Sequence, residues 1–394
     1  MKRTLAFGGL VATTGILAAG LAVPAQASGT VSTDTLATSN YAAQQVAAFW
    51  YGQRAANLQN ATPYNVETAV TTKHVSTGGP AADSKAGVVP AIGDEKKSSS
   101  TSKNVNLPKT TGKVFFQGAD GKPHWCSATS VQSTYHNLVA TAGHCVYDTK
   151  SNKDTLNYWI FVPGYYQGKT PWGIYVGKQA FTHYDFDVYE DGDRDYAFVT
   201  VYNGVKLDTT KTGWVKKYTD ATADDKAAAD AKKAGYLSWT GKDGVRYVEY
   251  LPLADAGRLG DNVGGQGLAY NQKIGQPVFM FGYPDGKHPD GNQAFTGKTL
   301  KWSYGKTFAA QAPAIKAEEL QGLKSSFTGE GSLGSSWLLK YSNSRRLGYL
   351  NGVTIGVSDT DGNKRYDTSV SPYFDGETYG VYKSAASTWS GKIV

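Results

Sequence analysis

The chain has 394 residues, enough to hold a large core. Its formal net charge of +7 suits weak attraction to acidic surfaces such as a cell envelope, but the basic residues are spread out and no recognition motif accompanies them, which argues against nucleic-acid binding. With 46 glycines, 26 tyrosines and 9 tryptophans, the composition is that of a turn-rich β-protein rather than a helical one.

Lys2 and Arg3 open the chain, followed by an apolar run from Leu5 to Val23 and then Pro24-Ala25-Gln26-Ala27. A short positive region, a hydrophobic core and an A-x-A site read as a secretory signal peptide over residues 1–27, so the protein is expected outside the cell. Gly and Thr within the run argue against an uncleaved anchor. Residues 28–112 read as a pro-segment and a disordered linker, with a mature N-terminal extension as the alternative. The spacing of Ala43, Val46, Ala47, Phe49 and Trp50 predicts a helix around Tyr41 to Asn57. Residues 75–112 are rich in Ser, Thr, Gly, Lys and Pro, including Lys96-Lys97-Ser98-Ser99-Ser100-Thr101, a composition that buries too little apolar surface to order itself.

The character changes over residues 113–394. Short aromatic and β-branched runs recur between Gly, Asn, Asp and Pro, among them Val114-Phe116, Tyr158-Val162, Tyr196-Val201, Val278-Phe281 and Gly352-Val357. That pattern predicts an antiparallel all-β domain. Thr219 to Ala234 is the exception: Ala-rich and charged, it predicts a short helical insertion on the surface.

Three segments carry the chemistry. Thr141-Ala142-Gly143-His144-Cys145 follows the apolar run Leu138-Val139-Ala140, and Cys126 lies upstream. These are the only two cysteines, so in an exported protein a Cys126–Cys145 disulfide is expected, with free thiols or a metal site as poorer alternatives. Asp193-Arg194-Asp195-Tyr196-Ala197-Phe198-Val199 puts an acid just ahead of an apolar strand. Ser325-Ser326-Phe327-Thr328-Gly329-Glu330-Gly331-Ser332-Leu333-Gly334-Ser335-Ser336-Trp337 is a Ser/Gly-rich turn before another.

The histidine box resembles that of the chymotrypsin-like serine peptidases. The last segment resembles the nucleophile loop of secreted actinobacterial trypsin-like members, Thr-Gly-Gly-x-Ser-Gly-Gly-Pro-Trp or close to it. Scattered patches extend the likeness over residues 40–386, including Phe49-Trp50-Tyr51-Gly52-Gln53-Arg54, Phe281-Gly282-Tyr283-Pro284 and Ser371-Pro372-Tyr373-Phe374. The resemblance implies two antiparallel six-stranded β-barrels with the active site in the crevice between them. It implies a serine endopeptidase, made as a zymogen, that acts on polypeptide as a monomer with no cofactor and no metal. Acyl transfer of this kind needs a hydroxyl nucleophile, an imidazole base, a carboxylate to orient it and N–H donors for the oxyanion. Carried onto this chain, the roles fall to Ser332, His144 and Asp195, with the N–H groups of Glu330 and Ser332 as oxyanion donors.

The loop departs from the pattern. Leu333 stands where Gly is usual, Glu330 takes the place of a glycine, and one extra residue precedes Trp337, so Ser335 and Ser336 are alternative nucleophiles. Ser326, six positions before Ser332, supplies no acid for a basic-residue pocket, which leaves an apolar preference. The altered loop also admits a second reading, an impaired homologue that binds peptide or protein without cleaving it. Glu190, Asp191 and Asp193 lack a recognised calcium spacing, and Asp359-Thr360-Asp361-Gly362-Asn363 reads as a tight turn.

Overall fold

Six short strands close a barrel in the first half of the domain. The computed structural model describes residues 30–65, 68–93, 105–149, 155–233, 235–241 and 243–394; the expected signal peptide lies outside them. Strands Thr111–Gln117, Pro123–Val131, Leu138–Thr141, Ala197–Val201, Tyr175–His183 and Asn157–Pro163 pair antiparallel in that order, and the last pairs back to the first. Closure runs through two residue pairs, Ile160–Val176 and Phe161–Tyr175, and leaves the far end of Tyr175–His183 open to a further strand.

The second half is a half-barrel of two sheets. One contains Pro277–Gly282, Lys301–Lys306, Ser336–Ser342, Leu347–Val353 and Gly267–Tyr270; the other contains Phe308–Ala312, Ala317–Lys324, Thr368–Pro372 and Gly356–Ser358. With the closed barrel this half gives the expected two-barrel plan, the second barrel being open on one side. Where Leu347–Val353 meets Thr368–Pro372, the Ser371 hydroxyl accepts the Val353 N–H at 3.0 Å, so a side chain stands where a backbone pair would continue the ring. The helix Gly376–Ala386, N-capped by Asp375, packs Val381, Tyr382 and Ala385 with Phe181, Tyr196 and Phe198 of the closed barrel. The expected insertion is the helix Ala223–Asp230, opened by a Thr222–Asp225 capping box and laid on a three-stranded sheet through Ala221, Ala229 and Val248.

The N-terminal segment is built into this frame. Val31–Thr35 extends the closed barrel along Tyr175–His183. The expected helix runs Asn40–Asn60 from an N-cap at Ser39, but it breaks at Gly52, and Gln53, Arg54 and Ala55 are left-handed. The cause is distant in sequence: Glu249 Oε2 accepts the Gln53 N–H at 2.8 Å, and a Cβ on Gly52 would lie 2.5 Å from Leu237.

The stretch read as disordered linker needs correcting in part. Gly87–Val89 is a strand paired with Gly267–Tyr270, ordered by the neighbouring sheet's edge rather than by its own apolar content, while residues 94–104 lie outside the described residues. The expected boundary after residue 112 falls inside the strand Thr111–Gln117. Among the described residues, no helix is long and apolar enough to cross a membrane.

Candidate active site

His144 sits in the single helical turn Gly143–Cys145 that ends the strand Leu138–Thr141. The turn needs glycine at 143, because a Cβ there would meet the Phe186 ring at 2.4 Å. That ring packs edge-on against the His144 imidazole, with centroids 5.3 Å apart. Cys145 is joined to Cys126 in the adjoining strand, and its carbonyl accepts the Trp159 indole N–H at 2.9 Å, so the residue beside His144 is held from two directions. Replacing both cysteines by serine is expected to lower unfolding free energy by about 3 kcal/mol in the chain-entropy account, read from the urea midpoint.

Asp195 follows the turn Gly192–Arg194 and is 1% exposed. Its Oδ2 lies 2.7 Å from His144 Nδ1, and its Oδ1 accepts the His144 backbone N–H at 2.9 Å. Both carboxylate oxygens therefore hold one residue, one through its ring and one through its main chain. This is the contact that fixes an imidazole's tautomer and favours its charged form.

Two residues earlier, Asp193 ties the same turn to the half-barrel, accepting the N–H groups of Glu318 and Glu319 at 2.9 and 2.8 Å. Burial pushes its carboxyl up to about 6, against the pull of those two amides. The folded state thus holds this proton more tightly than the unfolded chain, whose value is near 3.8. The sign follows by linkage: the stabilising contribution is full below pH 4 and is lost as pH rises through about 6. Asp193→Asn is expected to flatten this part of the stability profile in urea unfolding between pH 4 and 7. Identical pH slopes in wild type and variant would contradict it.

The third segment is arranged differently from expectation. Ser332 N–H donates to the Gly329 carbonyl at 3.0 Å, closing a tight turn in which Gly331 has φ of 74°. The Ser332 side chain is fully buried, and its hydroxyl donates to the Thr328 carbonyl. The Ser335 and Ser336 hydroxyls are buried with no hydrogen-bond partner, and Ser335 packs on Gly282. None of the three expected hydroxyls is bonded to His144.

Leu333 follows the turn with its backbone docked on the closed barrel. Its carbonyl accepts the N–H of Ser127, next to Cys126, at 2.9 Å, and its side chain is buried in the cluster holding Ala142, Cys145 and Phe186, the groups around His144. Beyond it, Gly334 N–H donates to Thr354, Thr354 N–H to Ser335, and the Trp337 indole to the Thr354 hydroxyl. The run from Leu333 to Trp337 is anchored throughout. The loop's extra residue lies within this stretch, between Thr328 and Trp337.

Of the two expected oxyanion donors, the Ser332 N–H donates to the Gly329 carbonyl, whereas the Glu330 N–H donates to no backbone carbonyl among the described residues; the Glu330 carbonyl accepts the Asp285 N–H at 2.7 Å. Among the described residues, the N–H groups of Gly331 and Leu333 donate to no backbone carbonyl. Ser326 is exposed, and the next residue, Phe327, is buried and packs edge-on to Phe295 at 5.5 Å. The two ends of the loop give different registers: four residues on from Thr328 is Ser332, and four residues back from Trp337 is Leu333.

The acidic groups once weighed for calcium are occupied otherwise. Asp191 accepts the Asp193 N–H at 2.9 Å, and Asp359 closes its turn on the N–H groups of Gly362 and Lys364 at 2.9 and 2.8 Å.

No protein-family profile matches the chain, and no curated protein sequence does. Among solved structures, the chain is similar to the protease Anisep from Arthrobacter nicotinovorans, at 24% identity and a TM-score of 0.50, over 72% of this chain and 98% of that one. The fold is chymotrypsin-like. Similarity also extends to the thermostable serine protease AL20 from an extremophilic microorganism, at 23% identity, a TM-score of 0.45, and 71% and 97% coverage. A Glu endopeptidase shows 15% identity, a TM-score of 0.44, and 75% and 98% coverage. At 24% identity the likeness to Anisep speaks for the fold alone and leaves activity to the site itself.

Proposed function

We propose that this chain is an exported chymotrypsin-fold protein that binds an extended polypeptide in the crevice between its two halves and does not hydrolyse it. One observation carries the reading: the Ser332 hydroxyl is bonded to Thr328, and the residue four before Trp337, where the resemblance puts the nucleophile, is the buried aliphatic Leu333. The imidazole is held by a carboxylate, while the hydroxyl expected to give it a proton is committed to a carbonyl. Loss of the serine from such a triad costs about 10⁶-fold in turnover. Export is supported by the signal-like residues 1–27 and by the disulfide, which suits an oxidising compartment.

A second reading keeps the peptidase activity. It is favoured by the intact 2.7 Å contact between His144 and Asp195, and it requires Ser332 to leave Thr328 and swing toward His144. Incubation with denatured casein separates the two. Binding on gel filtration with casein mass unchanged supports the first reading; fragments that vanish in Ser332→Ala support the second.

A further inference from the structure

This chain's own N-terminal segment pairs with strands of both halves. Thr62–Pro63 pairs parallel with His124–Trp125, and Tyr64 N–H donates to the Trp125 carbonyl at 2.9 Å. Further along, Val357 N–H donates to Thr68 at 2.7 Å, Val70 N–H donates to Val357 at 2.9 Å, and Ala69 bridges Val357 in parallel. Thr72 N–H reaches the Ser358 hydroxyl at 3.1 Å, and Lys73–His74 pairs with Phe308–Ala312. The segment therefore leaves the closed barrel and adds a strand to the open edge of the half-barrel.

Its two docking points flank the candidate site. Trp125 precedes Cys126, whose disulfide partner adjoins His144, and Val357 lies three residues past Thr354, which takes the Gly334 N–H. Thr68 and Val70 point the same way, as residues two apart on a strand do. Each meets a glycine: a Cβ on Gly329 would lie 2.7 Å from the Thr68 Cβ, and one on Gly356 would lie 3.0 Å from Val70. The wall is bare where these side chains sit. Tyr64, Thr68, Val70 and Thr72 are buried, whereas Lys73 and His74 are exposed, so one face of the segment is seated and its far end is open to solvent. A strand added at a sheet edge opens at lower free energy than the core beneath it.

We propose that residues 62–65 and 68–74 are a built-in occupant of the crevice, exchanged for an extended polypeptide partner that carries two β-branched side chains separated by one residue. The proposal rests on the polypeptide-binding reading above and adds its regulation and its sequence preference. The partner adds to the edge of Gly356–Ser358, with its branched side chains over Gly329 and Gly356.

The test uses the full chain and a fluorescent peptide covering residues 61–75 as probe. Val70→Pro removes the donor to Val357 and weakens the internal segment. Losing about 1.5 kcal/mol of edge bonding gives the probe about ten-fold tighter binding to Val70→Pro than to wild type, by fluorescence polarisation. Adding Gly356→Val, which fills the seat, is expected to abolish that gain. Equal tight binding to wild type and Val70→Pro would overturn the occupant while leaving the binding reading standing. If neither binds the probe but both bind denatured casein, the proposal alone falls; if neither binds casein, the binding reading falls with it. Should Val70→Pro fail to fold, hydrogen exchange in wild type decides, because the Val357 N–H faces Thr68. Protection of about 100-fold or more supports the seated segment, and exchange at the rate of an open strand edge overturns it.

Discussion

Leu333→Ser is expected to gain hydrolysis of a small activated ester, by at least about 10³-fold over wild type, because oriented base, carboxylate and amide donors together supply most of what a serine needs. The surroundings are in place. Asp195 holds both the ring and the backbone of His144, the disulfide holds the next residue, and the amides of Gly331 and Leu333 are uncommitted to any backbone carbonyl among the described residues. The substitution removes buried aliphatic volume, and about 2–4 kcal/mol of stability goes with it. A small ester is the right substrate, since it needs no room beside the N-terminal segment paired with both halves. A folded Leu333→Ser protein as inactive as wild type would show that position 333 does not face His144.

The second large effect is conditional. In the Leu333→Ser background, Asp195→Asn is expected to lower ester turnover by about 10⁴-fold, the cost of holding the imidazole in the wrong tautomer. In wild type the same change is expected to leave ester turnover at its background level and to show only in stability, through the lost contacts to His144. Comparing the four proteins isolates the coupling between the two positions. A drop in turnover on Asp195→Asn in wild type would reveal a nucleophile already working there, and Ser332 would be the first residue to examine.

The parts of the site that sequence order exposes are the locally determined ones. His144 and Asp195 each sit in a short turn at the end or start of an apolar strand, so their neighbours announce them, and the disulfide follows from there being only two cysteines. The loop carrying Leu333 is another matter. An extra residue can be absorbed before or after the reacting position, so counting from Thr328 and from Trp337 reaches different residues. The all-β character was legible for the same local reason, in aromatic and β-branched runs punctuated by turn residues.

The N-terminal segment was legible as a helix and little else. Its break at Gly52 depends on Glu249, nearly two hundred positions away, and its strands take their order from edges they do not encode. Such short strands have no stability of their own and draw it from sheets already formed. Composition alone therefore misplaced Gly87–Val89 as disordered, and no periodicity in residues 62–74 marks them as pairing with both halves.

Intact-protein mass spectrometry after prolonged exposure of the folded wild-type protein to a fluorophosphonate probe tests the absence of a working nucleophile most directly. An unchanged mass, with the adduct forming only in Leu333→Ser and mapping to position 333, is the predicted result. A wild-type adduct mapped to Ser332, Ser335 or Ser336 would contradict it.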